Sequence, residues 1–255
     1  MCQILKMKYI TQKFIQMSKG IEKQVGDWYP LLEPILSSSY FNSLTTTIKK
    51  GKAEGRIIYP DTKLTFRAFK LCQLKDLKVV ILGQDPYHDG SATGLAFANN
   101  GDGPRISPSL AWIKKALEHD YDTLCLDFDY DLTSWADQGV LLLNTALTVE
   151  KGKAGSHTVL WNTFTKELLN SLTNTKDDII FVLWGKKAQD YAKFIKGNNK
   201  IVTAPHPAAD AYTGGSAGFH TSGTFRAIND FLNIPIKWNT HCGEPLPLER
   251  NEVPF

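Results

Sequence analysis

Leu77-Lys78-Val79-Val80-Ile81-Leu82-Gly83-Gln84-Asp85-Pro86-Tyr87-His88 is the stretch on which the fold turns. Its first half is a short apolar run, rich in β-branched residues, that stops at a glycine. That is the form of a strand buried on both faces of a parallel sheet. Its second half is polar, and Pro86 fixes φ and stiffens the turn that leaves the strand. Three later runs have the same form: Val140-Leu141-Leu142-Leu143, Ile179-Ile180-Phe181-Val182-Leu183 and Lys200-Ile201-Val202-Thr203. Segments of helical period lie between and after them, near 108–119, 160–173, 186–196 and 224–233. Strands alternating with helices imply βα units with right-handed crossovers. The expected fold is therefore α/β: a single domain with a central four-stranded, mainly parallel sheet flanked by helices on both faces.

Outward from this centre the signals weaken. Residues 6–24 place Ile10, Phe14, Ile15 and Ile21 at helix-like spacing among lysines. We read residues 1–24 as an N-terminal helical extension packed on the protein's own core, in preference to a membrane-surface or calmodulin-target helix. Residues 25–238 form the α/β domain. The tail 239–255, with Pro245, Pro247 and Pro254, reads as irregular. Lys49-Lys50-Gly51-Lys52 reads as a solvated loop.

Composition removes whole classes of function. The 255 residues are 42% hydrophobic and 22% charged, which fits neither a disordered chain nor a collagen-like fibre. No run of 18 apolar residues is present, so no membrane span is expected. The first residues lack the charged and apolar blocks of a secretory signal. The four cysteines (Cys2, Cys72, Cys125 and Cys242) form no CxxC pair, and no two histidines stand at i, i+4. No metal and no cofactor are expected, and the cysteine usage suits a reducing, cytoplasmic location. A net charge of +3 permits a polyanionic partner without requiring one.

In open parallel sheets, ligands bind beyond the carboxyl ends of the strands. The residues leaving the four runs are Gln84-Asp85-Pro86-Tyr87-His88, Asn144-Thr145, Trp184-Gly185-Lys186 and Ala204-Pro205-His206-Pro207. Each run thus delivers polar groups to one rim, and a carboxylate, an amide and an imidazole meeting there would make a compact reaction site. There is no GxSxG nucleophile elbow, no GxGxxG phosphate loop and no pair of carboxylates at glycosidase spacing.

Gly83-Gln84-Asp85-Pro86-Tyr87-His88 resembles the water-activating loop of the family 1 uracil-DNA glycosylases. The resemblance continues in order through Gly94-Leu95-Ala96-Phe97, Ser107-Pro108-Ser109-Leu110, Gly139 to Thr145, Leu183-Trp184-Gly185 and Ala204-Pro205-His206-Pro207. It implies a monomeric, metal-free hydrolase that extrudes deoxyuridine from DNA and cleaves its N-glycosidic bond. The DNA would be single- or double-stranded. By this resemblance Asp85 stabilises the sugar cation and orients water, and His206 stabilises the departing uracilate. Asn144 reads N3–H and O4 of uracil, Tyr87 excludes the 5-methyl of thymine, Phe97 stacks on the base, and Gln84 completes the pocket. DNA contacts are implied for Ser107, Ser109, Ser156, Gly185, Lys186 and Pro207, with His88 on the phosphate side or in a positioning role. A proteinaceous DNA-mimic inhibitor is implied as a candidate partner.

The match fails after the histidine. The family's His-Pro-Ser-Pro-Leu-Ser carries a leucine that enters the duplex, whereas here the sequence is His206-Pro207-Ala208-Ala209-Asp210-Ala211-Tyr212. Asp210 stands in the leucine register within a longer DNA-contact loop, and a carboxylate makes a poor wedge. Tyr212 is the candidate substitute, with packing against its own loop as the alternative. The rival reading of the whole chain is a DNA-binding replication accessory protein that keeps the pocket and has lost turnover.

Overall fold

β-Branched and leucine-rich runs become strands where both faces can be buried, and here three of them are buried at every position. The structure is a computed structural model that describes residues 20–99, 106–125 and 128–238. The strands are β1 (Ile58–Tyr59), β2 (Val79–Gly83), β3 (Val140–Asn144), β4 (Val149–Glu150), β5 (Ile180–Trp184) and β6 (Lys200–Ala204). The first helices are α1 (Tyr29–Leu36), α2 (Ser39–Ala53), α3 (Arg67–Leu71), α4 (Pro108–Tyr121) and α5 (Thr133–Ala136). They are followed by α6 (Thr158–Thr175), α7 (Lys186–Gln189), α8 (Pro207–Thr213) and α9 (Thr224–Asn229).

The central sheet has four strands in the order β3-β2-β5-β6, and every pairing in it is parallel. Successive side chains on a strand point to opposite faces. Complete burial along β2, β3 and β5 therefore means that both faces are covered. β6 is an edge strand: Val202 and Ala204 are buried, while Lys200, Ile201 and Thr203 face solvent. A separate antiparallel pair, β1 with β4, was not visible as sequence because each strand has only two residues.

Two aromatic clusters fill the space between sheet and helices. Phe41, Phe66, Phe69, Trp161 and Phe164 interlock beside α2 and α6. Trp135, Trp184, Phe219, Phe225 and Trp238 form the second. Helix starts follow hydroxyl caps: Ser38 Oγ accepts from Phe41 N, and Ser107 Oγ accepts from Leu110 N with Pro108 in the first turn.

Several expectations need correction. Lys49-Lys50-Gly51-Lys52 is the last turns of α2 and not a loop; its lysines are exposed and favourably placed near the negative end of the helix dipole. The segment 186–196 is broken into α7 and a 3-10 turn at Ala192–Phe194. The chain after His206 is helical over Pro207–Thr213, where a longer DNA-contact loop was expected. Pro207 opens that helix and Gly214, left-handed at φ +61°, closes it. Residues 20–25 are helical and Ile21 packs on the core, while the rest of the N-terminal extension and the tail 239–255 lie outside the described residues.

Ile81 lies on β2, one of the sheet's two interior strands, and is fully buried. Ile81→Ala is expected to destabilise the protein by about 2–5 kcal/mol. Urea unfolding reads this as a lower midpoint at unchanged slope. A cost below about 1 kcal/mol would mean that this strand is not the packed centre.

Candidate active site

The site begins where β2 and β3 end side by side. A methyl group on Gly83 would stand 2.3 Å from Asn144 Oδ1 and 2.9 Å from Ala96 Cβ. Only glycine lets the Asn144 amide lie across the strand end. The following turn is fastened to β3. Thr145 N donates to Gly83 O (2.9 Å), and Gln84 O accepts from both Ala146 N and Thr145 Oγ1 (2.9 Å each). Asp85, half-buried, accepts from Gly155 N at 2.5 Å through Oδ2. A carboxylate held by a backbone N–H has a fixed direction, which a solvated side chain lacks.

Tyr87 is held at its far end. Its hydroxyl donates to Phe97 O (3.0 Å) and lies 2.5 Å from Ser107 Oγ, the cap of α4. Burial pushes the phenol up to about 12, so it stays neutral. Phe97 has φ +65°, a left-handed conformation that costs about 1–3 kcal/mol for a side chain of this size. The ring so placed rests on Trp184, with centroids 5.3 Å apart, and reaches within 6.1 Å of the His206 ring.

His206 follows β6. At Gly185, φ +83°, an added Cβ would stand 2.7 Å from His206 Cβ, so this glycine makes room for the imidazole. His206 Nδ1 accepts from Ala208 N at 3.1 Å. A backbone N–H can only donate, so Nδ1 presents its lone pair and a neutral ring carries its proton on Nε2. Burial, and then the nearby Lys187 charge, lower the pKa of His206 below its ordinary value.

These residues enclose one cavity of about 150 Å³, lined by Gln84, Asp85, Pro86, Tyr87, Phe97, Asn144 and His206 among others. A cavity of that size can admit a single small aromatic ring. Leu95 and Ala92 complete its apolar lining, with His88 and Ser109 beside them. Among the described residues no three His, Cys, Asp or Glu side chains could together hold a metal ion.

The six residues expected to handle the base and its bond thus line one space. The expected DNA contacts are more dispersed. His88 is exposed, and Ser109 is half-buried against the cavity. The Ser107 hydroxyl is engaged as helix cap and as partner of Tyr87. Ser156 is exposed, and its Oγ accepts from Glu150 N (2.9 Å). Lys186 is exposed, and Tyr212 is 89% exposed. One assignment changes, and two further residues carry a structural role. Asp210 is fully buried, so its carboxylate cannot meet DNA. Pro207 is buried at the first helical position, and Gly185 serves to seat His206.

Two participants were not foreseen. Lys187 Nζ donates to Gln84 Oε1 (2.9 Å) and biases His206, and Gly155 orients Asp85. Gly155 stands at no end of the central strands, Lys187 lies one residue past the exit Trp184-Gly185-Lys186, and only the tertiary structure gives them these partners.

Comparison with known proteins agrees with this geometry. Residues 69–232 match the family model described as the uracil DNA glycosylase superfamily. A uracil-DNA glycosylase of Idiomarina loihiensis is 41% identical over 218 residues, covering 83% of this chain and 99% of that protein. The crystal structure of mimivirus uracil-DNA glycosylase superposes with a TM-score of 0.75 at 28% identity, covering 83% of this chain and 86% of that one. A tyrosine-to-phenylalanine variant of mimivirus UNG in complex with UGI gives 0.77 at 28% identity, covering 84% and 88%. With most of its length matched by both family model and relatives, the chain belongs to the uracil DNA glycosylase superfamily.

Proposed function

We propose that this chain is a uracil-DNA glycosylase of the family 1 type, which extrudes deoxyuridine from DNA and hydrolyses its N-glycosidic bond to leave an abasic site. The observation that carries the reading is the ring-sized cavity with a fixed carboxylate, a fixed amide and an imidazole with Nε2–H on its lining.

Uracil is selected before it is released. The Asn144 amide offers one acceptor and two donors, which pair with N3–H and O4 of uracil. Cytosine presents the reverse pattern and leaves buried groups unpaired. Tyr87, anchored through its hydroxyl, closes the edge where thymine carries its methyl group. Phe97 supplies the stacking face.

Cleavage leaves positive charge on the sugar and negative charge on the base. Asp85 stabilises the first and orients the attacking water. His206 stabilises the second by donating from Nε2 to the base oxygen, as a fixed dipole. Neutrality is part of that role: a proton on Nδ1 would face the Ala208 N–H. Lys187 and burial both disfavour that proton.

The DNA-contact segment after His206 departs from the family pattern in sequence, with Asp210 in the leucine register; in this chain it is a short helix with Asp210 buried. Tyr212 acts as the wedge that fills the space left by the extruded base. A DNA-mimicking protein is a candidate inhibitor, a reading supported by the mimivirus relative solved in complex with UGI. The reading extends to a monomer in the cytoplasm, in keeping with four cysteines that form no CxxC pair.

The direct test uses uracil- and thymine-containing oligonucleotides in EDTA, followed by alkaline cleavage of abasic sites. Breakage at uracil alone is expected, and Asp85→Asn should slow it by about 10²–10⁴-fold. Breakage at thymine, or a chain that binds these strands without cutting them, refutes the assignment.

The imidazole can be followed by NMR. His206 should be the Nε2–H tautomer at pH 7, with a titration midpoint below about 6.5. Activity would then be lost only as the pH falls through that lowered value. A midpoint above the ordinary value contradicts the neutral-donor role.

For the wedge, Tyr212→Ala should reduce activity on duplex uracil relative to the same uracil in a single strand. An unchanged duplex-to-single-strand ratio removes Tyr212 from base extrusion.

A further inference from the structure

The residue in the wedge register is buried where it would be expected to reach DNA, and it carries a charge. Asp210 is fully buried in α8, and its Oδ2 accepts from His220 N (2.8 Å) and is paired with His220 Nδ1 (3.0 Å). The Asp210 carbonyl accepts from Gly215 N (2.9 Å) and from the capping Gly214 N. His220 in turn lies on Trp112 of α4, with ring centroids 5.1 Å apart, and Lys115 Nζ sits 4.0 Å over the same indole. α4 is capped by Ser107, whose hydroxyl holds Tyr87. One chain of contacts therefore links the selectivity wall of the pocket to the helix that follows His206.

We infer that Asp210 and His220 form an internal clamp that positions Tyr212 for base extrusion from duplex DNA, an inference that rests on the glycosylase reading above. A buried carboxylate tolerates few orientations, because turning it away from its donors leaves an unpaired charge in the interior. At 3.6 residues per turn, two positions are about 200° apart on a helix. Fixing Asp210 inward thus fixes Tyr212 outward, and Tyr212 is 89% exposed. α8 has only seven residues, too few to hold its own direction without a tertiary anchor. His206 has separate supports in Gly185 and the Ala208 N–H, so the glycosidic chemistry does not depend on the clamp.

Asp210 and His220 are positioning residues, and the test separates positioning from general support of the fold. Asp210→Asn and His220→Phe are each compared with wild type on uracil in single-stranded and duplex oligonucleotides of one sequence. His220→Phe keeps a ring for Trp112 and the backbone donor to Asp210, removing only the Nδ1 partner. Circular dichroism melts establish that each variant is folded. If Asp210→Asn does not fold, His220→Phe decides.

The expected result is a fall in duplex kcat/KM of about tenfold or more, with single-strand kcat/KM close to wild type. In a Tyr212→Ala background the clamp substitutions should add little, because contacts that act through one another are not additive. An equal fall on both substrates, no fall on duplex, or full additivity with Tyr212→Ala overturns the clamp. A wild-type chain inert on uracil in either form overturns the glycosylase reading itself, and the clamp with it.

Discussion

The site depends on how closely two parallel strands can end. Gly83 and Asn144 are paired in register, and the amide of one lies where any side chain on the other would be. This contact does more than admit Asn144. It lets the ladder continue past the strands through Thr145 N to Gly83 O and Ala146 N to Gln84 O. The turn into Asp85 is thereby built as an extension of the sheet, and the rigidity of a fully buried β2 and β3 is passed to the carboxylate. A loop of the same composition without those bonds would leave Asp85 and Asn144 free to separate. The chemistry needs them converging on one ring.

The rest of the pocket follows a division of charge across that ring. On one side a carboxylate is pointed by a backbone N–H. On the other an imidazole is kept neutral by burial, by the Lys187 charge and by a second backbone N–H that claims Nδ1. Two backbone donors, each with one permitted role, set the chemical form of the site more firmly than side-chain partners could. Lys187 also donates to Gln84 Oε1. The same ammonium therefore steadies the strand-end turn and biases the opposite histidine.

How much of this was legible in the sequence varies with the physical range of the signal. The four central strands were legible because complete burial writes continuous apolar runs, and the observed boundaries lie within two residues of the runs read from sequence. Gln84, Asp85, Tyr87, Asn144 and His206 were legible as a group because strand ends in a parallel sheet face one rim, whereas Phe97 and the role of each residue came only from the family resemblance. β1 and β4 were not, since two residues carry no periodicity. Lys49 to Lys52 read as a loop because lysines and a glycine look solvated. The lysines are solvated, but on the outer face and end of a helix whose buried side holds Phe41, Leu44 and Gly51 itself. Lys187 and Gly155 were missed for a different reason: their roles exist only between elements far apart in sequence.

Asp210 carries the general lesson. By register it belongs to the DNA face, and by chemistry a carboxylate there would repel phosphate. The structure resolves the conflict by winding the segment into a helix, which turns the acid into the interior and leaves Ala211, Tyr212 and Thr213 exposed. Helical winding here does what a substitution at the register itself could not. The carboxylate is then useful for the property that made it a poor wedge: a charge that cannot lie unpaired in the interior must keep its partner, and His220 is held on α4 through Trp112. An apolar residue at 210 would fill the same space without demanding one orientation of a seven-residue helix. Modest net charge belongs to the same logic. A protein that must read one base and ignore the sequence around it gains little from a strongly basic face. A net charge of +3 is in keeping with that.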